Sequence, residues 1–176
     1  QQLADTLGVG KGTLYRYFRS KRELFYAALR HVMDKLDEEI SLSIAGISEP
    51  LQISLRATAA YLRFFQAHPS AVQLLLQELA HFRQEGLPVY YQYRHQNRQR
   101  WINHIQHLIA SQTVRALPAE TVVEIMGDSL LGVMLSNYLG NRERPPELQA
   151  QQVLDMFFNG LLTEEGRKQW SRAGPH

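Results

Sequence analysis

Leu3-Ala4-Asp5-Thr6-Leu7-Gly8-Val9-Gly10-Lys11-Gly12-Thr13-Leu14-Tyr15-Arg16-Tyr17-Phe18 is the stretch on which the reading of this chain turns. Leu3, Ala4 and Leu7 fall on one helical face before Gly8 breaks it, and Leu14 and Phe18 are spaced i, i+4 on a second short helix opening at Lys11. Two short helices across a glycine turn, with Ala4 allowing their backbones to approach closely, have the layout of a DNA-reading helix-turn-helix. In that layout the N-terminal end of the second helix enters the major groove. Lys11 can meet guanine acceptors there, Gly12 permits close approach, and the Thr13 methyl or hydroxyl can touch base edges. Tyr15 and Tyr17 lie between the core-facing Leu14 and Phe18, which frees their phenols for phosphate or thymine.

Working outward, Ser20 and Glu23 form a capping box that starts a third helix at Lys21, whose ammonium joins free backbone N–H groups as an anion site. Apolar positions Leu24, Phe25, Ala28, Leu29, Val32, Met33, Leu36, Ile40 and Ile44 keep a helical period up to Gly46, a length that suits a connector between two parts. Beyond it, Pro50, Pro69, Pro88, Pro118 and the Pro145-Pro146 pair divide the chain, because proline belongs in first turns and not in helix interiors. Helices are predicted at about 50–67, 69–84, 88–113, 118–140 and 146–163. No sustained period-two run appears, so the fold class is all-α. The expected division is a DNA-binding head with connecting helix over 1–45, a ligand-binding and dimerisation domain over 46–163, and a polar tail over 164–176. Gln1 opens directly into a helical pattern, and a segment upstream of it is expected.

Charge supports this division. Lys11, Arg16, Arg19, Lys21, Arg22 and Arg30 face only Asp5 and Glu23 in the first thirty residues, a local +4 in a chain of net charge +2, so the remainder carries −2. A basic segment of this kind is the footprint expected where a polyanion docks. Absence of cysteine excludes disulfides, thiolate metal sites and cysteine nucleophiles. No uninterrupted apolar run reaches the roughly 18 residues of a membrane span, and no signal-peptide layout opens the chain. The expectation is a cytoplasmic protein without a membrane partner.

The segment Leu7-Gly-Val-Gly-Lys-Gly-Thr-Leu-Tyr-Arg-Tyr-Phe18, followed by Ser20-Lys-Arg-Glu-Leu24, closely resembles the tetracycline-repressor (TetR) family of bacterial regulators. The resemblance covers residues 1–45 at motif level and only size and helix count beyond. It implies that Lys11, Gly12, Thr13 and Tyr15 approach bases and that Tyr17 and Lys21 hold phosphate. Family members carry one further helix before the one opening at Gln1, so the first helix of the head is missing from this sequence.

Other chemistries fare worse. A phosphate-binding P-loop needs Gly-Lys directly before Ser or Thr, whereas Gly12 separates Lys11 from Thr13. His104 and His107 share a helical face, but spacing suggests no third ligand, so neither metal nor cofactor is expected. No Ser-His-Asp set or convergent carboxylate pair emerges, and the chain is not read as an enzyme.

The middle of the chain holds a large aromatic inventory, most of it expected to be bundle core. A small-molecule pocket is expected among Tyr61, Arg63, Phe64, Gln77, His81, Tyr93, Asn97 and Trp101, for an apolar or aromatic effector. Arg94, Arg98 and Arg100 read as a solvated helix face. A homodimer surface is expected where Ser129, Gly132 and Ser136 form a stripe of small residues beside Leu135, with Leu154, Phe157, Phe158 and Leu161 from the last helix. The resulting expectation is a repressor that binds a near-palindromic double-stranded operator and is released by its effector. The alternative is a helical interaction or small-molecule-binding module that does not bind DNA.

Overall fold

The computed structural model describes residues 18–81 and 86–160. Six helices and no strand occur among them: α1 (Lys21–Ile44), α2 (Pro50–Ala67), α3 (Pro69–His81), α4 (Val89–Ala110), α5 (Ala119–Leu139) and α6 (Pro146–Phe158). The all-α class is therefore observed, and the helix starts fall on or one residue after the prolines that predicted them. Helix ends are less well foreseen. α4 stops at Ala110, three residues early, where Gln112 takes a positive φ of 56° that ends the helical path.

The start of α1 is capped as expected on one side and differently on the other. Ser20 Oγ accepts the Glu23 N–H at 3.1 Å, but the Glu23 carboxylate reaches past Ser20 to accept the Arg19 N–H at 2.7 Å. α2 opens with Pro50 at its first turn, and the Glu49 carboxylate accepts the N–H groups of Leu51 and Gln52. A carboxylate there satisfies orphan donors and complements the helix dipole.

α2 is the central element. It packs against α1, α3, α5 and α6, and half of its residues are buried. Its small Ala57, Ala59 and Ala60 admit neighbouring backbones while Tyr61, Leu62, Phe64 and Phe65 fill the space between them. α1 contributes the stripe Leu29, Met33, Leu36 and Ile40, spaced by turns of the helix. A second, smaller cluster joins Ile102, Ile105 and Leu108 of α4 to Ala119 at the start of α5.

Glu78 of α3 is a buried carboxylate with a structural task. Both its oxygens accept the Val89 N–H, at 3.0 and 3.1 Å, so α3 holds the first residue of α4. Burial pushes its carboxyl up from the ordinary 4.5, against the opposing pull of the Val89 N–H and the Arg30 charge. A raised folded-state value means that the folded chain keeps a proton the unfolded chain has released. Stability therefore falls as pH rises from about 4.5 through the folded value. Glu78→Gln, which retains an acceptor for Val89, removes this loss, and denaturant midpoints across that range will diverge in favour of the variant as pH rises.

Candidate functional site

Between the two apolar clusters lies a cavity of about 140 Å³, walled by α1, α2, α4 and α5. Its origin is in the composition of α4. From Arg94 to Arg100 every residue is polar, so this helix cannot close against α2 and α5 with aliphatic side chains over its middle turns. The residues that α4 turns inward follow helical spacing: Tyr90, Arg94, Asn97, Trp101 and Ile105, with Tyr93 and His104 beside them. α2 answers with Ser54, Thr58 and Tyr61 at i, i+4 and i+7, α1 with Ile40, and α5 with Val123, Met126, Gly127 and Leu130.

Most of the polar groups in this wall are paired with one another or with the backbone. Tyr61 Oη and Tyr90 Oη are 2.8 Å apart. Burial pushes the Tyr61 phenol well above its ordinary range and the Tyr90 phenol up to about 12, so both remain O–H groups at physiological pH. One donates to the other, which leaves one donor of the pair for a third group. Tyr93 is likewise raised by burial. Ser54 Oγ and His104 Nε2 are 2.8 Å apart, and burial, with a smaller contribution from His107, lowers the His104 pKa. Asn97 Nδ2 donates to the Tyr93 carbonyl at 3.2 Å.

Arg94 crosses the edge of the cavity to α5. Nη1 donates to Asp128 Oδ1 at 2.6 Å and Nη2 to the Glu124 carbonyl at 3.2 Å. It rests where Gly127 has no side chain, since a Cβ at that position would overlap the guanidinium. The solvated-face reading is thus corrected for Arg94, whereas Arg98 is exposed as expected and also borders the cavity. Arg100 instead bonds Ser41 at 3.2 Å and lies 3.7 Å from Asp37.

Of the expected pocket residues, Tyr61, Tyr93, Asn97 and Trp101 line this cavity. The other four do not. Arg63 lies on the opposite side of α2 and ion-pairs with Glu147 of α6. Phe64 is buried in the core against Phe65 and His68. Gln77 and His81 are on the exposed side of α3, a helix that does not border the cavity. Ser54, Thr58, Tyr90, Arg94 and His104 were missed, although the spacing of Tyr90, Arg94, Asn97 and Trp101 on one face was available in the sequence. With respect to metal, no group of three His, Asp or Glu side chains suited to an ion occurs among the described residues.

A second surface lies on α5 and α6. α5 reaches a mean hydropathy of 1.2 over an 18-residue window, yet only 6% of that window is buried within the chain. Gly132 and Ser136 are exposed, Ser129 and Leu135 half-buried, and Leu139 is 72% exposed. A reciprocal amide pair, Asn137 Nδ2 to Gln149 Oε1 at 2.7 Å and Gln149 Nε2 to Asn137 Oδ1 at 3.1 Å, fastens α5 to α6. On α6, Phe157 is half-buried and Phe158 exposed. Leu154 requires correction. At 4% exposed it is buried within this chain and so offers no surface to a partner. Leu161 lies outside the described residues, as do Lys11, Gly12, Thr13, Tyr15 and Tyr17. Lys21 is exposed at the first position of α1.

Solved structures share this arrangement of helices. The TetR family transcriptional regulator PfmR from Thermus thermophilus superposes with a TM-score of 0.70 at 18% identity, covering 93% of this chain and 88% of that one. A putative fatty acid metabolism regulator from Clostridium perfringens gives 0.71 at 15% identity, covering 92% and 87%. The fold is that of the helical TetR-type proteins. A family resemblance is carried by the N-terminus. Residues 1–28 match the model for bacterial regulatory proteins of the tetR family. The HTH-type transcriptional regulator HbdR of Aromatoleum sp. (strain CIB) is 30% identical over 73 residues, 42% of this chain and 32% of that protein. The chain is thus similar to the tetR family over its first 28 residues and shares the helical fold of the solved structures, and its aligned stretch spans about a third of that curated relative.

Proposed function

We propose that the protein is a homodimeric transcriptional repressor that binds a near-palindromic operator through residues 1–45 and is released when a small apolar or aromatic molecule enters the cavity. The observation that carries this reading is the conjunction of the tetR-family N-terminus with a cavity bounded by the helix that leads out of it. Ile40, near one end of α1, forms cavity wall, and Lys21 stands at the other end, about 28 Å away at 1.5 Å per residue. A ligand that displaces α1 at Ile40 therefore moves the phosphate-holding end as a lever. A coupling of about 1 to 3 kcal/mol between the two sites weakens operator binding 5- to 150-fold.

The size of the cavity supports a ligand whose buried part is about one aromatic ring, since an apolar cavity of roughly 150 Å³ accommodates benzene. No enzymatic role is proposed. The uncovered apolar face of α5 supports the homodimer, and a membrane-spanning role for this helix is disfavoured by Asp128 near its middle, with Glu124 a turn before it. Each such charge costs about 2.5 to 3.5 kcal/mol at a bilayer centre. A cytoplasmic location follows from the proposed work on DNA. The domain over 46–163 would hold ligand and partner, with 164–176 as its tail.

Duplex binding at several salt concentrations tests the reading. Lys21→Ala is expected to lower affinity for all sequences alike and to reduce the salt slope by about 0.9, the loss of one phosphate contact. A slope that is flat in the parent chain and in the variant contradicts DNA binding and favours a helical binding module.

A further inference from the structure

We propose that the ligand of this cavity carries a carboxylate on its apolar body and that Arg94 receives it, with Asp128 as the internal anion it displaces. The inference rests on the cavity being the ligand site, as proposed above, and adds the chemical class of the ligand and the residue that selects it. Three observations carry it. Two guanidiniums, Arg94 and Arg98, line a cavity whose other polar side chains, beside its tyrosines, are Ser54, Thr58, Asn97 and His104, and no carboxylate among the described residues lines it. Arg98 has no ion-pair partner among the described residues.

The hold on Arg94 is also of an exchangeable kind. Its fork of five donors binds one Asp128 oxygen and one backbone carbonyl, not a carboxylate in two-point fashion. The Arg94 side chain is 20% exposed whereas that of Asp128 is 61% exposed. Asp128 thus meets Arg94 from the solvent side, and an ion pair with one partner in water is weak. A carboxylate arriving from the cavity meets the same guanidinium from the desolvated side, where the interaction is stronger.

Finally, Tyr90 precedes Arg94 by one turn on the same face of α4, and its pair with Tyr61 retains one phenolic donor. An anion at Arg94 has that O–H within the same wall. The Gly127 notch makes the room that the guanidinium occupies at the cavity edge. Exchange would also remove the Arg94–Asp128 ion pair, one of the links between α4 and α5.

Calorimetric titration of the dimer with two matched pairs tests this: 4-methylbenzoate against 4-methylbenzamide, and octanoate against octanamide. At least one acid is expected to bind tenfold or more tightly than its amide. Arg94→Met should abolish that preference, and Asp128→Asn should strengthen binding of the acid severalfold while leaving the amide unchanged. The Asp128→Asn arm keeps the test sound if Arg94→Met folds poorly. Equal binding of acid and amide, unaffected by either variant, overturns the role of Arg94 and leaves the cavity as an apolar ligand site. Binding of none of the four compounds overturns the cavity reading and this inference with it.

Discussion

Gly132→Glu is expected to convert the protein from twice the chain mass to the chain mass in light scattering, with its helical circular dichroism retained. Nothing lies within 4 Å of the Cβ that such a substitution adds, so the chain itself has room for it. Replacing glycine in a helix interior even favours the helix, by up to about 1 kcal/mol. The cost falls on the partner. Ser129, Gly132 and Ser136 form a shallow path along α5, continuous with a groove that Gln152 and Met156 of α6 border, and a carboxylate planted in that path holds off a second helix. Two chains that meet there bring four helices together, α5 and α6 from each. A monomer also binds one half-site instead of two, so operator affinity falls by the loss of avidity. Persistence of the dimer would remove α5 from the interface.

Leu36→Ala is expected to cost about 2 to 5 kcal/mol of stability, the range for removing a leucine from a packed core. Leu36 is fully buried in the main cluster, on the face of α1 that also carries Met33 and Ile40. A domain of this kind has about 5 to 15 kcal/mol to lose, so the variant gives up a large share. The denaturant midpoint should fall with an unchanged slope, at fixed protein concentration because a dimer's stability depends on it. A change below about 0.5 kcal/mol, the usual range for a surface position, would mean that α1 is not anchored to the body and cannot act as a lever.

The helices were legible because their starts are marked by proline chemistry: Pro50, Pro69 and Pro146 begin α2, α3 and α6, and Pro88 and Pro118 immediately precede α4 and α5. Their ends carry no comparable signal, hence the overrun of α4 past Ala110. The cavity was half legible. Tyr61 and Phe64 are both aromatic, both on α2 and both buried, yet one meets the cavity and the other the core. What separates them is the rotation of α2 against α4 and α5, which no local pattern encodes. Arg94 was misread for a related reason. Its polar neighbours suggest a solvated face, and only the notch at Gly127, thirty-three residues away, turns it into cavity wall. On α6, Leu154 and Phe158 fall one turn apart and are both apolar, but the fold buries the first and leaves the second exposed.

The central claim is that one dimer joins a DNA-reading head to a ligand cavity. Selection of random duplexes by the protein tests it most directly when repeated at two salt concentrations and with a cavity-binding acid added. The account predicts enrichment of a near-palindrome, bound more weakly at high salt and released by the acid. Failure to enrich any sequence would contradict it.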